Sequence, residues 1–103
     1  MKFNVYLTAF MNGEIREVEV PLNECHADPQ SVLDRIFYWG QNDFQPVPCK
    51  CSVSAGDVID FYGKLYMVLM CGFQEISQKQ LNEFKSLSQI GKNHWMMENL
   101  YGN

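Results

Sequence analysis

The sequence predicts an α+β domain, in which a small antiparallel sheet built from two β-hairpins carries two to three helices in the order ββαββα. The first observation is Asn12-Gly13 between two strand-like segments, because Asn-Gly suits tight hairpin turns that need positive φ. The second is a pair of apolar runs on either side of Gly63-Lys64. The third is two segments with apolar residues at helical spacing. A sheet covered by helices buries both kinds of apolar face.

The first hairpin is predicted over residues 2–22, with Asn12-Gly13 as its turn. In that register Val5 faces Val20, and both belong to the side that we expect to pack in the core. The opposite side alternates with charged residues and is expected to be partly wet.

The second hairpin is predicted to turn at Gly63-Lys64, with glycine at the first central position of a type II′ turn. In that register Phe61 faces Tyr66. Four apolar residues then share one face of the hairpin: Ile59, Phe61, Tyr66 and Val68.

Two residues near this hairpin are assigned to structural turns. Asp57 is expected to accept hydrogen bonds from the backbone of residues 54–56, where the chain enters the strand. Gly72 is expected to provide the bend or bulge that ends the partner strand.

Capping residues predict where the helices begin. Asp28-Pro29 opens the first helix, and Gly40 is expected to end it in the left-handed conformation. Ser77 and Gln80 have the spacing of a capping box.

The second helix is predicted to run from about Gln78 until Gly91 breaks it. Residues 92–103, which contain the apolar stretch 94–101, are then expected to form a last helix docked on the body or on a partner.

Length and charge limit the classes of function. The chain has 103 residues, so we expect residues 1–103 to form a single domain. Its formal net charge is −4, and its eight Lys and Arg are spread along the chain, so nucleic-acid binding through a basic surface is not expected. The sequence shows neither a signal-peptide pattern nor an apolar run long enough to span a membrane, so we expect a cytoplasmic protein without membrane association.

Four residues supply the ligand types of a zinc site: Cys25, His26, Cys49 and Cys51. Structural zinc sites usually place paired cysteines roughly two to four residues apart on one knuckle, which adjacent Cys25-His26 does not match. We therefore assign no metal and no cofactor. The fourth cysteine, Cys71, and the other thiols are expected to stay reduced in the cytosol.

A thiol, a histidine and a carboxylate can be combined on paper from Cys25 or Cys51, His26 or His94, and Asp57. The sequence does not place these groups together, and function must be argued from a site. No catalytic residue is assigned, and we expect the protein not to be an enzyme.

Residues 32–76 contain a series of short motifs: Ile36-Phe37, Asn42, Asp43-Phe44, Ser52-Val53-Ser54, Asp57-Val58-Ile59, Tyr66-Met67-Val68 and Gly72-Phe73. In this order they resemble the YodL-like domain, which recurs in small proteins and in large polyvalent proteins of phages and conjugative elements. The chain departs from the pattern at residues 69–71, where the family commonly has Asp-Ser-Phe. The resemblance implies an accessory role in a bacterial mobile element, with no agreed activity and no established catalytic residues.

Aromatic residues next to short polar ones predict a protein-binding surface. The candidates are Tyr38, Trp39, Asn42, Asp43, Phe44 and Trp95. The methionines Met67, Met70, Met96 and Met97 are candidates for an adaptable apolar surface. The same aromatics would serve equally well to close the core.

Together these observations favour a small non-catalytic accessory protein that binds another protein. Two alternatives remain open: a structural zinc-binding module, and a homo-oligomeric structural protein, such as a homodimer, paired through edge strands or the C-terminal segment.

Overall fold

The computed structural model describes residues 1–25, 28–41 and 53–101 and contains a five-stranded antiparallel sheet. The predicted α+β class is therefore confirmed. The strands are β1 (Lys2–Leu7), β2 (Glu14–Glu19), β3 (Val58–Phe61), β4 (Lys64–Val68) and β5 (Phe73–Ile76). The helices are α1 (Pro29–Trp39), α2 (Gln78–Lys85) and α3 (Gln89–Met96), with a 3₁₀ turn at Leu22–Glu24 and a π-helical turn at Met97–Tyr101.

The strand order is β2-β1-β3-β4-β5, so the two hairpins join edge to edge into one sheet. β1 and β3 pair antiparallel, with Val5 opposite Ile59. β5 is a strand that the sequence analysis missed. The sequence predicts only a bend or bulge at Gly72, whereas the chain reverses there with φ +96° and the Leu69 amide donates to the Gly72 carbonyl at 2.9 Å.

The first hairpin pairs in a different register from the predicted one. Val5 lies opposite Arg16, four positions from Val20, because residues 8–13 all belong to the loop. Hydrogen bonds from Thr8 and Ala9 to the turn before β3 take these two residues out of the strand. A shift of four positions is even, so the core-facing residues keep their side of the sheet.

The turn of the second hairpin also differs from the prediction. Tyr62 has φ +51° and Gly63 has φ +88°, which is the pattern of a type I′ turn at Tyr62-Gly63. Phe61 consequently lies opposite Lys64 rather than Tyr66. This shift of two positions is again even, so Phe61 and Tyr66 still share one face.

Helix α1 begins as predicted, because the Asp28 carboxylate accepts a hydrogen bond from the Ser31 amide at 3.0 Å. Gly40 follows its last residue, but with φ −73° it is not left-handed as expected. Glycine is required there for space, since a Cβ on Gly40 would lie 2.4 Å from Cγ2 of Val53.

Helix α2 has the predicted capping box, with the Ser77 hydroxyl accepting from the Gln80 amide and the Gln80 side chain accepting from the Ser77 amide. The prediction that Gly91 breaks this helix is wrong. Helix α2 ends at Lys85, and Ser88 caps a new helix by accepting from the Gly91 amide at 3.1 Å. Gly91 therefore lies inside the first turn of α3.

Each face of the sheet packs against different helices. On one face, α1 contributes Val32, Leu33 and Ile36 to a core with residues of β1, β2, β3 and β4. On the other face, α2 contributes Leu81 and Phe84 to a second core, which α3 and the π-helical turn extend. Within the described ranges, no helix is both long and apolar enough to cross a membrane.

Candidate functional site

Two adjoining clefts lie along α3, and we call them together the α3 groove. The first, which we call the polar cleft because Gln89, Lys92 and Asn93 line it together with apolar residues, has a volume of about 270 Å³. It lies between α3 and the loops that precede β2 and β3. The apolar cleft has a volume of about 250 Å³ and lies between α3, the π-helical turn and the turn after β4. They adjoin because Ala55, Asn93 and Met96 line both.

A hydrogen-bonded cluster around Asp57 holds the two loops beside the polar cleft. Asp57 is 2% exposed, and its Oδ1 and Oδ2 accept from the Ala9 amide at 2.9 Å and from the Ser54 amide at 2.8 Å. The Thr8 hydroxyl donates to the Gly56 carbonyl at 2.6 Å. The bonds from Ala9 and Thr8 join the β1–β2 loop to the turn before β3, and the bond from Ser54 lies within that turn. The position of one loop therefore depends on the other.

Lys92 supplies the charged group that lines the polar cleft. It is 4% exposed, its Nζ donates to the Met11 carbonyl at 2.8 Å, and Nζ lies 5.7 Å from the centroid of the Phe84 ring. An ammonium group has three N–H donors, and Met11 is the one acceptor that the described residues provide. Two donors therefore have no hydrogen-bond acceptor in the described part of the chain.

The charges of Lys92 and Asp57 influence each other in this buried place. Burial lowers the pKa of Lys92, while the negative charges of Asp57 and Glu14 oppose that change. Burial raises the pKa of Asp57, while the amide hydrogen bonds and the charge of Lys92 oppose that change. For Lys92 the effect of burial outweighs these negative neighbours, so its pKa is lowered on balance.

Methionines dominate the apolar cleft. Met70 is 88% exposed on the turn after β4, and Met97 is 60% exposed at the start of the π-helical turn. The Met70 amide donates to the Tyr101 hydroxyl at 2.9 Å, which ties the C-terminal turn to the β4–β5 turn. Flexible thioether side chains can repack around different apolar partners.

The predicted aromatics of α1 lie away from this groove. Tyr38 is exposed, with the Arg35 guanidinium 4.4 Å from the centre of its ring. Trp39 packs against the first core, and its Nε1 donates to a Glu24 carboxylate oxygen at 3.2 Å. The Trp39 ring therefore helps to close the core and is only partly available to a partner.

Trp95 packs against the second core, with its ring 5.2 Å from that of Phe84 in an edge-on arrangement. This contact holds α3 against α2. The remaining protein-binding candidates, Asn42, Asp43 and Phe44, lie outside the described residues. Of the predicted methionine surface, Met67 is fully buried, while Met70, Met96 and Met97 line the groove.

Of the zinc and thiol candidates, His26, Cys49 and Cys51 lie outside the described residues. Cys25 is partly buried beside the first core, and its thiol donates to the Pro21 carbonyl at 3.5 Å. His94 lies on the exposed side of α3, with Nε2 2.8 Å from a Glu98 carboxylate oxygen. Among the residues that the structure describes, no group of three or more metal-ligating side chains is found.

Sequence reasoning missed Lys92 and the loop residue Thr8. A signal for Lys92 was present, because it falls three and four positions before Trp95 and Met96 on the apolar face of a helix. A lysine at such a position is expected to be at least partly buried. No local signal existed for Thr8, whose partner Gly56 lies 48 residues away.

Comparison with known proteins adds no relative. No family model matches the chain, and neither the curated proteins nor the solved structures contain a significant match. The resemblance of residues 32–76 to the YodL-like domain therefore stays a prediction from the sequence.

Proposed function

We propose that this chain is a small non-catalytic protein-binding domain whose recognition surface is the α3 groove. The observation that carries the proposal is the exposure of Met70 and Met97 on the walls of a continuous depression. Apolar side chains that line a groove are typical of surfaces that receive a partner's apolar residues. The adaptable methionines would let the groove fit an apolar segment closely.

The proposal extends to the setting of the protein. The motifs in residues 32–76 support an accessory protein of a bacterial phage or conjugative element, acting in the cytoplasm on a protein of its host or of its own element. In this setting the groove, rather than the aromatics at the end of α1, makes the principal contact.

A peptide-display experiment tests the proposal and does not require the partner to be identified. The full chain is used to select from a random peptide library, and the enriched peptides are measured against two variants. Met97→Glu places a charge in the apolar cleft, whereas Ile90→Glu places one on an 83% exposed residue of α3 outside both clefts. We expect apolar peptides that bind wild type and Ile90→Glu equally and bind Met97→Glu at least about tenfold more weakly, since a buried unpaired charge is strongly unfavourable.

Two results would contradict the proposal. One is a library that yields no enriched peptide family, or yields one that binds Met97→Glu as well as wild type. The other is a stable dimer in light scattering that Met97→Glu dissociates and Ile90→Glu does not, which would assign the groove to a second copy of the chain.

The zinc alternative has its own measurement. Elemental analysis of protein purified without a metal-chelating tag is expected to find far less than one zinc per chain. Stoichiometric zinc would instead support a metal-binding module that includes Cys25.

A further inference from the structure

We infer that the polar cleft receives an uncharged main-chain amide of the partner, with its carbonyl oxygen accepting from Lys92 and its apolar side chain in the neighbouring apolar cleft. This inference rests on the proposed function, because it names the chemistry of the segment that the α3 groove binds. It assigns to Lys92 the role of a binding residue.

Lys92 can donate further hydrogen bonds to a ligand in the polar cleft. Only 4% of the residue is exposed, and its ammonium uses one donor on the Met11 carbonyl. Within the described residues its other two donors have no protein acceptor, so they can pair with an oxygen that enters the cleft. A ligand that enters the polar cleft therefore gains most by bringing an oxygen to Nζ.

The groups that line the cleft favour a neutral over an anionic acceptor. A carboxylate in the cleft would lose its hydration and could not donate to the side-chain oxygens of Gln89 and Asn93, whereas a main-chain amide can accept from Lys92 and also donate to them. The balance favours an uncharged acceptor.

The rim of the cleft fits a peptide unit. Gln89 and Asn93 are four residues apart on α3 and line the same side of the cleft. Their side-chain amides each carry both donors and acceptors, which match the N–H and C=O of a main-chain amide. The adjoining methionine-lined cleft begins at Asn93 and Met96, so a side chain next to that amide reaches apolar surface.

Two small probes separate these possibilities. N-acetyl-leucine N-methylamide carries two uncharged amides on an apolar residue, and N-acetyl-leucine carries a carboxylate in place of one of them. Each is titrated into the ¹⁵N-labelled full chain near neutral pH, with the amide signals of Gly56, Asn93 and Met96 and the Nζ signal of Lys92 as reporters. We expect the neutral probe to shift these signals and to bind at least about threefold more tightly than the carboxylate.

Lys92→Met tests the assigned hydrogen bond, because methionine keeps most of the length and removes the donors. We expect about fivefold weaker binding of the neutral probe, in line with the net contribution of one hydrogen bond. The Lys92 Nζ signal of wild type gives a second measurement that needs no variant, and it should move on titration. Ile90→Glu is the matched control on the same helix and should leave binding unchanged.

Three results would overturn the inference. The carboxylate probe could bind more tightly than the neutral one, or Lys92→Met could bind the neutral probe as well as wild type while the Nζ signal stays in place. The third is that neither probe binds at high millimolar concentration. Any of these results can occur while the display experiment still yields groove-dependent peptides. In that case the protein-binding proposal stands and the role of Lys92 fails.

Discussion

Removing the carboxylate of Asp57 should lower the free energy of unfolding far more than removing the carboxylate of Asp60, which also accepts from the backbone but lies on the surface. Asp57→Ala leaves the amides of Ala9 and Ser54 without their acceptors, which now lie at 2.9 Å and 2.8 Å. Each unsatisfied buried donor costs about 1 to 3 kcal/mol. Lys92 would also lose a negative neighbour. We therefore expect a loss of about 3 to 5 kcal/mol, a large part of the stability of a small domain.

Asp60→Ala is the matched control. Asp60 also accepts one backbone hydrogen bond, from the Gly63 amide at 3.0 Å, but this bond lies on the surface of the hairpin turn. Water can replace the lost acceptor there, so we expect a cost below about 1 kcal/mol.

Urea unfolding followed by circular dichroism measures both variants, and linear extrapolation gives the free energy of unfolding. Asp57→Asn should fall between wild type and Asp57→Ala, because its side-chain carbonyl can still accept one of the two amides. A loss of less than about 1 kcal/mol in Asp57→Ala, or equal losses in Asp57→Ala and Asp60→Ala, would refute the view that burial makes these bonds important.

Three further outcomes are expected in unfolding experiments. Gly40→Ala should lower the free energy of unfolding by about 1 to 3 kcal/mol, because the new Cβ would lie 2.4 Å from Cγ2 of Val53. An unchanged free energy of unfolding would show that residue 40 has room for a side chain. Ser77→Ala should lose about 1 kcal/mol of unfolding free energy, because it removes the N-terminal cap of α2. Ser86→Ala removes a hydroxyl at the C-terminal end of the same helix and should lose less. Burial raises the pKa of Asp57 in the folded state above 3.8, so the folded state binds this proton more tightly than the unfolded state does. The free energy of unfolding of wild type, measured relative to Asp57→Asn, should therefore be greatest below pH 3.8 and should decrease as pH rises through the folded pKa. An increase over that pH range would contradict the raised pKa.

The sequence predicted the features that depend on local chemistry. The caps at Asp28 and Ser77 are satisfied by amides three residues further along the chain, so the pattern and the structure coincide. The faces of the strands were also predicted correctly although both hairpin registers were wrong. Side chains alternate between the two sides of a sheet along each strand. Only a register shift by an odd number of residues would have moved Val5 or Phe61 to the other side.

The features that were not predicted depend on distant partners or lack a strong pattern. The length of the first loop follows from bonds of Thr8 and Ala9 to residues 48 positions away. β5 has only four residues, of which Gln74 and Glu75 are exposed, so no apolar run marked it as a strand. At the site, the exposed methionines were foreseen from their residue type, whereas the role of Lys92 depends on the acceptor provided by Met11.

The position of the buried charges connects the stability of the domain to the groove. Replacing buried polar groups by well-packed apolar ones often stabilises a protein, so Asp57 and Lys92 do not simply maximise stability. Asp57 instead fixes both loops that border the polar cleft, through Ala9 on one side and Ser54 on the other. A substitution at Asp57 should therefore weaken groove-dependent peptide binding even where the protein stays folded, although Asp57 itself does not line the cleft. In Asp57→Asn at low temperature, peptide binding equal to that of wild type would separate the two roles and leave Asp57 as a purely stabilising residue.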